Sequence, residues 1–130
     1  MLSSVPNTDT VIVADLEAGI GTLTRLPDAA VDITLVVVEP TPRSIDVGKR
    51  AVLAANEHRQ GRVMVIANKA SDTDDEHRVR DAFPDQTVLA VPHDPAVVSA
   101  DRLGLSPVDH DPHSPAVAAL RTHAAALLSG

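Results

Sequence analysis

Four short runs rich in β-branched residues constrain this chain more than any other feature: Val11–Asp15, Asp32–Glu39, Arg62–Asn68 and Gln86–Val91. Each is nearly continuous in apolar character, with no alternation of apolar and polar positions. A strand solvated on one face alternates; one covered on both faces does not. The runs therefore predict a mostly parallel sheet of about four strands, layered between helices. Helical patterns separate the later runs. After Pro42, residues Ile45, Gly48, Val52 and Ala55 recur at three- and four-residue steps with Ala51 beside them, ending near Arg59 with Gly61 as a stop. A second helix is expected from Thr73, with Glu76 completing a capping box, to a point before Pro84. Its thin apolar face is Val79, Ala82 and Phe83. A last helix has Ser114 as cap, Pro115 at its first position, and a stripe of Val117, Leu120, Ala124 and Leu127 expected to be buried. Strand–helix alternation of this kind is an α/β layered domain with right-handed crossovers.

At 130 residues the chain has room for one core, so a single domain is expected over 1–130. Residues 1–10 are expected to be a flexible lead-in, and 104–113 a proline-broken connector to the last helix. Phe83 is the one aromatic residue. The core must be aliphatic, and base stacking on Tyr or Trp, the usual device for single-stranded nucleic acid, is excluded. Eighteen acidic against eleven basic residues give a net charge of −7, which argues against a nucleic-acid backbone as ligand. The two lysines, Lys49 and Lys69, make no polybasic membrane patch. No run is long enough to span a bilayer, and MLSSVPNTDT has neither the basic start nor the apolar stretch of a secretory leader, so a soluble cytoplasmic protein is expected. With no cysteine, disulfides, thiolate nucleophiles and sulfur metal sites are all absent.

Three segments place polar residues at strand carboxyl ends, the edge where open parallel sheets bind ligands. In VIVADLEAGIG, residues 11–21, Asp15 could hold Mg²⁺ through water, and Gly19 could let a backbone N–H approach a phosphate oxygen. The same residues also suit an ordinary strand end and turn. In VMVIANKA, residues 63–70, Asn68 offers a donor and an acceptor to a purine edge and Lys69 an apolar stem to pack over the ring. In LAVPHDP, residues 89–95, Pro92 sets the backbone leaving the strand, while neighbouring His93 and Asp94 point apart and form no acid–base dyad. Asp109, His110, Asp111 and His113 could ligate zinc or nickel, but their spacing matches no closed metal site and equally suits a solvated connector. No Gly-x-Ser-x-Gly elbow, GxxxxGK[ST] loop or GxGxxG loop occurs.

Taken in order, DLEAGIGTLTR, VDITLVVVEPTPRSIDVGKR, ANKA and VPHDPAVVSADRLG resemble the carboxyl-terminal half of MinD/ParA-like P-loop ATPases, and in particular the CooC-type nickel-insertion accessory ATPases of carbon monoxide dehydrogenase. The likeness runs from about Val11 to the end. It implies a partial P-loop NTPase, Rossmann-like fold with ATP or ADP and Mg²⁺ as ligands. Asp15 would orient hydrated Mg²⁺ and the Gly19 amide would approach the γ-phosphate. Asn68 and Lys69 would meet the adenine, and the backbone from Pro92 to Asp94 would close over it. Arg25 matches a position the family keeps basic; Gly21 departs from the Glu often found there. The family's Gly-rich Lys loop and its Cys-x-Cys pair have no counterpart in these 130 residues. Charge-assisted hydrogen bonds contribute about 1.5–3 kcal/mol each. Losing several would weaken nucleotide binding by orders of magnitude and leave no independent ATPase. The resemblance thus implies a truncated or divergent nucleotide-binding domain with an inherited role in metallocentre maturation or partner docking. Two alternatives stand beside it: a non-catalytic interaction module using an open sheet edge, with a protein partner or a homodimer, and half of an ATPase completed in trans.

Overall fold

The computed structural model describes residues 10–16, 25, 27 and 30–129. Among them three strands form one parallel sheet in the order β1 (Ile33–Val38), β2 (Arg62–Ala70), β3 (Thr87–Pro92). Helices α1 (Pro42–Glu57) and α2 (Thr73–Ala82) are the two crossovers. After β3 come α3 (Pro95–Leu103), the single turn α4 (Pro107–His110) and α5 (Pro115–Ser129). The α/β class and the parallel pairing expected from the apolar runs are both present.

One face of the sheet packs under α1 and α2. Val36, Val38, Val65 and Ala67 on the strands meet Ile45 and Val52 of α1, Val79 of α2, and Phe83 beyond it. These are the helix faces that the three- and four-residue spacing marks. Gly48 is required by close approach: a Cβ there would collide with Val38 Cγ1 and stand 3.2 Å from Phe83 Cζ. The opposite face carries a smaller cluster of Ile66, Val91 and Ala116, with Leu89 and Val97 packed against it. Gln60, fully buried, ties the start of β1 to the end of α1. Its side chain accepts from the Ala30 N–H at 3.2 Å and donates to the Pro27 carbonyl at 2.7 Å. Gly61, at φ 67°, lets the chain turn against the Asp32 backbone and enter β2.

Three expectations need correction. Val11–Asp15 forms no strand; residues 10–16 are exposed and without secondary structure. Strand preference is realised only against a partner that takes up its amides, and among the described residues this run has none. The cap of α2 is Asp72, whose carboxylate accepts from the Asp75 N–H at 2.8 Å, while Asp75 reaches back to the Ser71 N–H at 2.9 Å. Glu76 instead pairs with Arg80 one turn on. The stripe on α5 is buried only at its start. Val117 is enclosed, but Leu120 is 52% exposed, Ala124 is exposed and Leu127 half-buried. The helix lies against β3 and leaves β1 uncovered on that face. The single turn α4 lies within residues 104–113.

Candidate functional site

The carboxyl ends of β2 and β3 meet at residues that the motif reading singles out. β2 ends irregularly: its register with β3 shifts between Ala67 and Ala70, and Lys69 adopts φ 56°, a left-handed conformation rare for a residue with a Cβ. This bulge directs Lys69 outward, where its Nζ lies 2.8 Å from Glu39 Oε1 at the end of β1. The hydrogen bond that Lys69 donates to Glu39, and then the negative charge of Glu39, hold the ammonium's pKa above its ordinary value. Beyond the bulge, Ala70 pairs with Pro92 and its carbonyl accepts from the His93 N–H at 3.0 Å. The Asn68–Lys69 and Pro92–Asp94 segments are therefore neighbours.

Asn68 shares the open face of the sheet with Ile66, two residues before it. It sits on the rim of a groove of about 350 Å³, walled by Val37, Ile66 and Val91 on one side and Leu120, His123 and Leu127 on the other. The carboxamide is half-buried and has no hydrogen-bond partner among the described residues. Opposite it, His123 Nε2 donates to the Ala90 carbonyl at 2.7 Å, which fixes that tautomer. A shallow apolar slot with one uncommitted amide at its rim suits a planar ring with a hydrogen-bonding edge.

Asp94 takes a different part. Buried at 6% exposure, it caps α3 by accepting from the Ala96 N–H at 2.9 Å, and its other oxygen accepts from the Ala116 N–H at the start of α5, also at 2.9 Å. The Ala116 hydrogen bond is the main reason its carboxyl is held below the usual carboxylate range; burial opposes it, and Ala96, Ser114 and His93 add to it. Both oxygens are committed to backbone, so a ligand here would meet the backbone of residues 92–94. Asp15 lies in the exposed run off the sheet, and Gly19 and Gly21 lie outside the described residues. Among the described residues no three acidic or histidine side chains gather as a metal set, those of 109–113 included. The base side of a nucleotide thus fits the residues present, while the described residues provide no cradle for phosphates and Mg²⁺.

Glu39 and His123 were not marked by the motif reading. The signal for His123 was present, since it falls three residues after Leu120 and four before Leu127 on the apolar stripe. Glu39 stands where β1 runs out, but nothing in the order of residues links it to Lys69.

Fold and site together define a partial Rossmann-like α/β domain whose candidate ligand site lies at the carboxyl edge of a parallel sheet. The chain is 34% identical over 107 residues to an uncharacterized ATP-binding protein of Methanocaldococcus jannaschii, an alignment covering 79% of this chain and 41% of that protein. It is also 31% identical over 102 residues to the carbon monoxide dehydrogenase accessory protein CooC of Rhodospirillum rubrum, covering 78% and 39%. The two similarities support a relationship to ATP-binding, ATPase-like proteins, and the chain spans about two fifths of the length of these relatives. No protein-family model matches. No helix among the described residues is long and apolar enough to cross a membrane.

Proposed function

We propose that this chain is a MinD/ParA- and CooC-like adenine-nucleotide-binding domain without a phosphate loop, acting in the cytoplasm by nucleotide-dependent docking to a partner in metallocentre assembly. The observation that carries the reading is Asn68: a half-buried carboxamide without a partner among the described residues, on the rim of an apolar slot beside the Pro92–Asp94 turn. Adenine offers the complementary donor–acceptor edge and an apolar ring. Lys69, anchored to Glu39, adds its aliphatic stem and one positive charge near the entrance. No Gly-rich Lys loop occurs in these 130 residues, so in this reading they bind the nucleotide without turning it over.

The test is a backbone-amide NMR titration with ATP. Shifts should cluster at residues 68–70, 92–96 and the groove-facing positions of β1 and α5. Asn68→Ala should weaken binding about tenfold, the equivalent of one to two neutral hydrogen bonds. Shifts scattered elsewhere, or none at millimolar ligand, would sink the proposal.

A further inference from the structure

The two edges of the sheet are treated differently. On β3, side chains occupy the outward carbonyls: His123 bonds Ala90 at 2.7 Å and Arg80 reaches Val88 at 3.5 Å. The pairing of β3 is also broken by the bulge near Ala70. Such devices keep an edge from recruiting another strand. β1 has none of them. Its pairing with β2 runs unbroken from Ile33 to Val38, it contains no proline or lysine, and among the described residues nothing pairs with its other side. It is also apolar on both faces. Val36 and Val38 are buried under α1, whereas Leu35 and Val37 are 44% and 61% exposed over the groove. A flat, unprotected apolar edge is a template for strand addition.

The chain carries a second piece with the matching deficiency. Residues 11–14 are apolar at every position and exposed, Val13 to 87%. A strand inserted beside β1 needs that character, because one side would meet the α1 layer and the other the groove. Parallel pairing requires a connection of a dozen or more residues, and residues 16–32 supply it. That length reaches another molecule as readily as its own edge, and among the described residues the edge is left open.

We propose that two copies of this chain associate by exchange, with Val11–Asp15 of each adding to the β1 edge of the other. The assembly does not depend on nucleotide, so it can be tested apart from ligand binding.

Light scattering on the full chain should give a dimer, and both Val37→Lys and Ile12→Lys should produce monomers with unchanged far-UV circular dichroism. Because residue 12 lies off the sheet, the second variant keeps the test valid if the first fails to fold. The absence of native cysteine allows a direct map. Ile12→Cys and Val37→Cys chains, one isotope-labelled, are mixed and treated with a short bis-maleimide. A dominant product joining residue 12 of one chain to residue 37 of the other is expected. A dominant 37–37 product would show edge-to-edge pairing of β1 instead. An intramolecular link in the double variant, or a monomer at all concentrations, would equally overturn the exchange.

Discussion

Single residues in this fold act against their usual tendencies, and the differences are measurable. A glycine inside a helix normally costs about 1 kcal/mol relative to alanine. Gly48 should show the opposite sign, because the added methyl would drive into Val38 Cγ1 and crowd Phe83, both buried. Overpacking costs about 1–3 kcal/mol, so Gly48→Ala should lower stability by about 1 kcal/mol net in urea unfolding. With no Trp or Tyr in the chain, circular dichroism must follow the transition. Asp94 gives the sharper case. Its folded carboxyl titrates below its unfolded value, so its contribution is complete above the unfolded value of about 4 and fades as pH falls through the lower folded one. Asp94→Asn should lower the melting temperature at neutral pH. It should also flatten the loss of stability that the parent shows as pH falls below about 5. An unchanged acid limb would remove Asp94 as the clamp between α3 and α5.

At the level of elements, the ends of α2 separate the capping-box expectation from the arrangement found. If Glu76 closed the cap, Glu76→Ala would cost as much as removing the cap itself. In the structure Glu76 makes only an exposed pair with Arg80, for which about 0.3–0.5 kcal/mol is ordinary. Asp72→Ala, removing the side chain that holds the Asp75 N–H, should cost about 1 kcal/mol. Thermal melts of the two variants should rank in that order. The same helix shows what the residues disclose. Its start at Thr73 and its face of Val79 and Phe83 follow from spacing and from Pro84, whereas the choice between neighbouring acidic caps depends on where the loop from β2 delivers them. Strands β1, β2 and β3 were legible because continuous β-branched runs have few other uses. Val11–Asp15 has the same composition and is not a strand, since pairing is a property of two segments and composition describes one. Helix α3 escaped notice for a related reason: Pro95-Ala96-Val97-Val98 carries no periodic stripe, and its start is set by Asp94, whose second bond, to Ala116, is contributed from 22 residues away. At the site, Asn68, Lys69 and Pro92 were marked by their places after strands. Their adjacency, and the salt bridge from Lys69 to Glu39, arise from the parallel register.

For the whole molecule, the decisive question is which part of a nucleotide the domain grips. The described residues offer adenine a rim amide and an apolar slot, but offer the phosphates one lysine already paired with Glu39, in a chain whose net charge is −7. A protein with a full phosphate cradle binds ATP far more tightly than adenosine, since each charge-assisted bond is worth about tenfold or more. Here adenosine, AMP and ATP should bind with affinities within about threefold of one another, in the high-micromolar to millimolar range. Raising the salt concentration should change these affinities little, because few ionic contacts are formed or screened. At ligand ten times its Kd, linkage supplies about 1.4 kcal/mol, enough to register as a rise in melting temperature for each of the three. ATP exceeding adenosine a hundredfold, with strong salt dependence, would require a phosphate-binding surface built from other residues. It would return this domain to the ranks of ordinary triphosphate binders.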